Sequence, residues 1–429
     1  MSGSALSILG GRVIDPANQK DEITNVYVDE GEIVAFGDEP PEDFRADWKI
    51  DAKGHIVCPG LVDLSVRLRE PGAEHKGTIL SETRAAANNG ITSLCCPPDT
   101  DPVIDTPAVA ELLQHRAKKA GMAKVYPLAA LTQNLAGQQL AEMGDLKEAG
   151  CIGVSNAFHT IENTEILRHA MEYAASCHLT LYVHAQDPWL GRDGCAHEGM
   201  VSTRLGLPGI PETAETIAVA RYLLLIELTG VRTHFCRLSS ARAVDMVRQA
   251  QKQGLPVTLD VAAHQLFLTD MDILDYNSQC HVMPPLRTQR DKEALRQALL
   301  DGTISTICSD HQPHEDDAKL RPFAMTSPGL SSLDTLLPLS LRLTEELNLD
   351  LNTVLNLLTY KPAQILEIDA GTLTVGQAAD ICIFNPDKEW CLEESNMHSA
   401  RYNSPFIGWG FKGRVTYTLI NGKVVYMRC

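Results

Sequence analysis

Three groups of residues in this chain could do chemistry. The run Tyr182-Val-His184-Ala-Gln186-Asp187 puts an imidazole at the end of an apolar stretch, and Ser309-Asp310-His311-Gln312-Pro313-His314 puts a carboxylate and two imidazoles in the same situation. Neutral imidazole and carboxylate are the usual zinc donors of hydrolytic sites, where the metal lowers the pKa of a bound water. The third group is cationic: Arg67 and Arg69 follow Leu64-Ser65-Val66, and Arg237 closes His234-Phe-Cys-Arg237. A guanidinium stays protonated and has no lone pair for a metal, so it suits a carboxylate or another anion. One set of residues points to a metal centre and the other to a cationic pocket.

Alternating strands and helices must position these groups. Apolar, strand-like runs at Gly60–Leu68, Thr92–Cys96, Lys124–Leu131, Ile152–Phe158, Leu179–Ala185, Val231–Leu238, Pro256–Ala262 and Ile304–Ser309 are interleaved with segments of helical composition. These helical segments are Ile79–Asn88, Pro107–Ala120, Thr164–Ser176, Thr213–Glu227, Ala241–Gln253 and Arg290–Leu300. Strand–helix units in this number, over about 250 residues, predict an α/β (β/α)8 TIM barrel, whose chemistry sits where strands end. A doubly wound sheet would carry a glycine-rich phosphate turn after its first strand, and none is present. The ends of the chain are different. Ser7-Ile-Leu, Arg12-Val-Ile, Val26-Tyr-Val and Glu32–Phe36 read as short strands with turns at Gly10-Gly11 and Asp29–Gly31. Val415–Ile420, Asn421-Gly422 and Lys423–Tyr426 read as a hairpin.

The run from Gly60 to Gly72, ending Leu68-Arg69-Glu70-Pro71-Gly72, resembles the first barrel strand of the cyclic amidohydrolases, dihydroorotase in particular. Thr359-Tyr-Lys-Pro362-Ala-Gln-Ile-Leu366, Gly371–Asp380, Asn403-Ser-Pro405-Phe-Ile-Gly-Trp409 and Asn421–Tyr426 extend the resemblance to the whole chain. It implies a small β-sandwich built from both termini, with the sandwich over residues 1–57 and 371–429 and the barrel over 58–370. It also implies a zinc site, and here this chain departs from the family. The two histidines of strand 1 fall on Ser65 and Arg67, the aspartate pair of strand 4 on Asn156 and Ala157, and the histidine of strand 6 on Arg237. His184 and Asp310 match a zinc ligand and the metal-binding general acid/base, although Gln186 replaces the usual Glu. Of the substrate positions, Arg69 and His314 are kept, whereas Asp99 and Met283 stand where the family has asparagines. An aspartate facing a substrate carboxylate at ~4 Å is repulsive by about 4 kcal/mol at an effective dielectric near 20.

These departures predict no zinc and no catalytic residue. The favoured arrangement puts the Arg67 and Arg237 guanidiniums in the vacated space, paired with Asp310, because a buried carboxylate needs a positive partner; the alternative turns both into solvent. His184 and Asp310 read as hydrogen-bonded relics, or else as a single-metal site completed by His159. His311 and His314 read more simply as polar loop surface, and Cys95-Cys96 as core strand packing.

Composition sets the remaining bounds. A formal charge of −18 over 429 residues argues against nucleic acid or an anionic membrane as partner. The 12 cysteines form no C-x-x-C pair and suit a reducing cytosol. Met1–Leu6 lack a leader pattern, and no apolar run approaches the ~20 residues needed to span a bilayer, so the expectation is a cytoplasmic protein. The resemblance is greatest to the noncatalytic dihydroorotase-like chains that assemble with aspartate carbamoyltransferase in pyrimidine synthesis. It implies a structural subunit, a homodimer within a larger hetero-oligomer with the transcarbamoylase catalytic chains. Two other readings stay open: a mononuclear-metal or metal-free amidohydrolase of altered substrate, and a small-anion-binding regulatory pocket lined by Arg67, Arg69 and Arg237.

Overall fold

The computed structural model describes residues 5–428; Met1–Ser4, on which much of the leader reading rests, and Cys429 lie outside the described residues. Eight parallel strands form the central barrel: Leu61–Asp63, Ile91–Cys96, Lys124–Pro127 continued by Ala129–Ala130, Gly153–Ser155, Thr180–His184, Thr233–Cys236, Val257–Ala262 and Thr306–Cys308. Each pairs in parallel with the next. The ring closes where Val66 bridges His311, with the Arg67 amide donating to the His311 carbonyl and the His311 amide to the Ser65 carbonyl, both at 3.0 Å. The last strand therefore brings Asp310 alongside Ser65 and Arg67. Closure, not sequence proximity, creates the site.

The helices around the barrel are α1 (Ile79–Asn88), α2 (Pro107–Ala120), α3 (Met143–Glu148), α4 (Thr164–Ser176), α5 (Met200–Leu205), α6 (Glu212–Thr229), α7 (Ala241–Lys252), α8 (Gln289–Leu300) and α9 (Leu336–Glu346). Their starts follow local chemistry. Thr78 caps α1 by accepting from the Ser81 amide while the Ser81 hydroxyl accepts from the Thr78 amide. This reciprocal cap is worth about 1 kcal/mol and fixes the phase of the helix, turning Glu82 inward. Two short helices, α3 and α5, carried no clear periodic signal.

The two termini meet, as expected, in a single eight-stranded sheet. Ile56–Pro59 pairs antiparallel with Ile381–Cys391, joining the N-terminal strands to the C-terminal hairpin. The sheet doubles back on itself: the Ala379 amide donates to the Gly31 carbonyl at 2.8 Å and the Gly422 amide to the Ala379 carbonyl at 3.0 Å. Between these layers lie Ile8, Val13, Val26, Ile33, Ile381 and Leu419. The Gly10-Gly11 pair is not a turn. Leu6–Asp15 is one strand, interrupted there by a β-bulge. Gly10 takes φ +68°, and a Cβ on Gly11 would come within 2.5 Å of Val57 Cγ2, so both glycines are demanded by a continuous strand that packs tightly.

Candidate functional site at the barrel mouth

The strand ends converge on Asp310. Its Oδ1 accepts from the Ser65 hydroxyl at 3.2 Å and lies 3.4 Å from Arg237 Nε and 3.8 Å from Arg67 Nη1; its Oδ2 accepts from Gln312 Nε2. Arg237 also donates from Nη1 to the Ser65 hydroxyl at 2.9 Å. Both arginines are buried, so neither turns into solvent. Burial works against the charge on Arg237, yet Asp310 and Asp260 hold its pKa above the usual arginine value.

Sequence reasoning missed the residue that fills the space between them. Phe158 lies under both guanidiniums, with Arg67 Cζ 4.4 Å and Arg237 Cζ 5.4 Å from its ring centroid. The His184 ring meets the same phenyl edge-on, 4.8 Å centroid to centroid. The half-buried phenyl face with two cations over it is a cation–π stack at the convergence of the strand ends. Its signal was present but unread: an aromatic residue directly follows Ala157, where a barrel-strand end would carry polar chemistry.

The partner of Arg67 is Asp99, through Arg67 Nε to Asp99 Oδ2 at 2.8 Å. Burial pushes the Asp99 carboxyl up, but the charge and hydrogen bond of Arg67 hold it below its ordinary range. Asp99 is thus the counter-charge that lets an arginine be buried on strand 1. The two substitutions form one device.

The other predicted residues divide. Asn156 is fully engaged in structure, accepting from Thr132 and donating to the Leu135 and His159 carbonyls. Ala157 offers no donor atom. His159 has an exposed side chain and belongs to no potential metal cluster among the described residues, so it does not complete a site with His184 and Asp310. His184 is depressed to about 3 by burial and then by Arg237 and Arg67. Met283 is half-buried on the rim. Arg69 donates to the Pro313 carbonyl and meets His314 Nε2 at 3.0 Å. His314 is pushed to about 2 by burial and by Arg69, Lys76 and Lys319.

The surface reading of His311 and His314 is corrected. Both are buried, and His311 Nε2 lies 2.8 Å from Glu82 Oε2 while its Nδ1 accepts from the Ser332 amide. The apolar run stops at Ser309, so the sequence conceals that strand pairing continues to His311 and carries its ring under α1.

Beneath the mouth, His234 Nε2 lies 2.9 Å from Asp260 Oδ2, and Asp260 Oδ1 accepts from the Arg237 amide at 2.5 Å. With Cys236 these are a cluster that could hold an ion. Here, however, both nitrogens of His234 are engaged, Nδ1 with Thr258 Oγ1 at 2.8 Å, and burial pushes the thiol pKa up. The set acts as a brace for the Arg237 backbone. Arg69, Ala157, Arg237 and Asp310 all adopt positive φ, from 49° to 64°. Non-glycine residues held there concentrate at functional sites, so the backbone of a site persists at strands 1, 4, 6 and 8.

These residues do not fit a zinc pair. Two guanidiniums and a phenyl ring stand among the would-be donors, and the two arginines are matched by Asp99 and Asp310. The groove left beside Arg67, Arg69, Asp99 and Asp101 measures about 90 Å³, well below the ~300 Å³ at which small-molecule pockets begin. A cavity of about 720 Å³ lies elsewhere, between α9 and the C-terminal strands around Leu341, Trp390 and Phe411.

Residues 54–243 match the family model described as dihydro-orotase-like, and residues 328–426 match that of the amidohydrolase family. A dihydroorotase-like protein of Pseudomonas aeruginosa is 52% identical over 98% of this chain and 99% of its own length. One of Pseudomonas putida is 50% identical over 98% and 99%. A dihydroorotase of Geobacter sp. strain M21 is 44% identical over 98% and 99%. Among solved structures, the L-hydantoinase of Arthrobacter aurescens superposes with TM-score 0.87 at 23% identity, covering 99% of this chain and 96% of its own; that likeness establishes the barrel-plus-sheet fold.

Proposed function

The chain belongs to the dihydroorotase-like family of amidohydrolases, and on that premise we propose that it is a noncatalytic member: a zinc-free structural subunit on which aspartate carbamoyltransferase catalytic chains of pyrimidine synthesis are held, in the cytoplasm. The observation that carries the reading is Phe158, packed under Arg67 and Arg237 where a catalytic member needs open ligand space. Asp99 and Asp310 supply the counter-charges for the two guanidiniums over this ring.

Three further points support it. The donor set lacks the imidazoles and bridging carboxylate of a two-metal site. The groove beside Arg69 is too small for a ring-sized substrate. The relatives at 50% and 52% identity are called dihydroorotase-like, whereas relatives at 41–44% are called dihydroorotase. The mononuclear enzyme has less in its favour: His184 faces a phenyl ring and His159 faces solvent, and neither forms a nucleophile–base pair with Asp310. The partner follows from the resemblance of the whole sequence to chains that assemble with the transcarbamoylase. A scaffold needs the barrel and its outer surface, both intact here.

Metal content of the purified protein, dihydroorotase activity at saturating zinc and co-purification with the transcarbamoylase test the reading together. The expected result is substoichiometric metal, no ring closure or opening, and a stable complex. Stoichiometric zinc with turnover overturns it.

A further inference from the structure

The strand Ile381–Cys391 does not pair evenly with its neighbour Gly410–Ile420. Asn385 pairs with Arg414 and Glu389 with Lys412, so Pro386, Asp387 and Lys388 loop out of the ladder. Between this irregularity and α9 lies the cavity of about 720 Å³. Unlike the groove at the barrel mouth, it falls within the ~300–1,000 Å³ of small-molecule pockets. Its apolar wall is held in place by the protein itself. Trp390 donates from Nε1 to the Gly413 carbonyl at 3.1 Å, and Arg414 Cζ sits 4.7 Å from its ring centroid. Phe411 is buried beside it, with ring centroids 5.4 Å apart. Pro338 and Leu341 of α9 and the looped-out Pro386 complete the lining. An indole fixed at its edge and on one face loses little freedom when another group packs on it, and such preorganisation favours binding.

The rim of this cavity is charged, and its cations are already taken. Arg342 Nε lies 3.0 Å from Glu346 Oε1, and Lys412 Nζ lies 3.1 Å from Glu345 Oε1. Lys412 stands opposite Glu389 in the ladder, yet its ammonium goes to α9 instead. Asp387 and Glu389, both lining the cavity and exposed, make no ion pair among the described residues. The rim therefore carries an excess of negative charge beside an aromatic wall. The charge of −18 on the whole chain adds a long-range attraction for cations.

We propose that this cavity binds a small organic cation, an ammonium or guanidinium carried on an aromatic or aliphatic body. The body packs on Trp390 and Phe411, and the charge lies at Asp387 and Glu389. An anion of the same size would meet the unpaired carboxylates, and a neutral molecule would leave them unanswered. The ligand would also tie the two parts of the fold together, since α9 belongs to the barrel whereas Trp390 and Phe411 belong to the terminal sheet. Binding to the native state alone stabilises it. None of the lining residues belongs to the barrel mouth, so the inference goes beyond the noncatalytic reading and stands without it.

The test titrates the purified full chain with phenethylamine, phenethyl alcohol and phenylacetate, three probes of similar size and different charge, followed by ligand-observed NMR and by the thermal midpoint. Phenethylamine is expected to saturate with a Kd on the order of a millimolar, as befits so small a probe, and to raise the midpoint. The alcohol and the acid should bind at least about fivefold more weakly, as should phenethylamine to Asp387→Asn combined with Glu389→Gln, the scale set by two exposed charge contacts. Gly410→Phe should abolish saturable binding: Gly410 lines the cavity, its φ lies outside the left-handed region, and a Cβ there meets nothing within 4 Å. If that variant fails to fold, the exposed carboxylate pair still decides the matter. No saturable binding by wild type, equal binding of the three probes, or indifference to either variant overturns the proposal. So does a Gly410→Phe chain that loses only transcarbamoylase capture while wild type ignores the amine, because that assigns the cavity to a protein segment. Metal and dihydroorotase measurements bear on the noncatalytic reading alone, so the two can fail separately.

Discussion

Arg67 Nε donates to Asp99 Oδ2 across 2.8 Å, joining the end of the first barrel strand to the loop after the second. Arg67 also lies 3.8 Å from Asp310, but the half-buried Asp99 gives it its short, charged hydrogen bond at the barrel mouth. The counter-charge nearby makes a positive side chain on strand 1 tolerable.

Non-additivity should expose this pairing. Arg67→Met and Asp99→Leu should each destabilise by about 1–3 kcal/mol, because each removes the hydrogen-bonded partner of a charged group, although Arg67 keeps Asp310 at 3.8 Å. The double variant should recover most of that loss, giving a coupling of at least about 1 kcal/mol in a denaturation cycle. Strict additivity would mean that the two side chains do not depend on each other.

Phe158→Ala removes the ring under both guanidiniums. The expected cost is about 2–4 kcal/mol from lost packing and cation–π contact, read as a lowered denaturant midpoint with unchanged slope. Space alone should restore neither zinc binding nor turnover, and calorimetric titration with zinc checks this.

Restoring histidine at positions 65, 67 and 237 should also fail to restore activity. Ala157 still lacks a bridging carboxylate, Phe158 still fills the centre, and Arg67→His removes the partner of Asp99. Measurable dihydroorotate turnover in that triple variant would show that these obstacles are weaker than their geometry implies.

Acid should unfold the protein early. His184 is depressed to about 3, and His264 and His281 to about 4, in each case first by burial. A base with a depressed folded pKa is neutral in the native state while the unfolded chain takes up protons from about pH 6.5 downward. Its contribution is therefore complete above pH 6.5 and is lost as pH falls toward the folded value, at up to about 1.4 kcal/mol per pH unit for each group. His184→Gln should flatten the stability profile between pH 6.5 and 3. A profile as steep as wild type would place the acid sensitivity elsewhere.

Asp63 moves the other way, raised to about 6 by burial. Its native state holds a proton that the unfolded chain releases near pH 4, so stability falls as pH rises from about 4 to 6. Asp63→Asn should remove that segment of the profile while keeping the acceptor to the Ser65 and Ser309 amides.

The sequence by itself determined the alternation of strands and helices and the identity of the side chains at each strand end, because periodicity, turn chemistry and donor type are local properties; the meeting of the termini came from the family resemblance, since the strand patterns alone allow two separate sheets. It showed that Arg67, Ala157 and Arg237 carry no donor atom of the usual zinc-binding kinds, since that follows from residue type alone. It misread Gly10-Gly11, where a bulge and a turn call for the same residues, and His311, where strand pairing outruns the apolar pattern. Only the tertiary structure decided that Asp99 answers Arg67, that Asp310 sits between two guanidiniums and that Phe158 fills the centre. The first depends on the pairing of neighbouring strands and the others on barrel closure, which sets residues some 245 positions apart side by side, and contacts of that kind leave no trace in a local window of sequence.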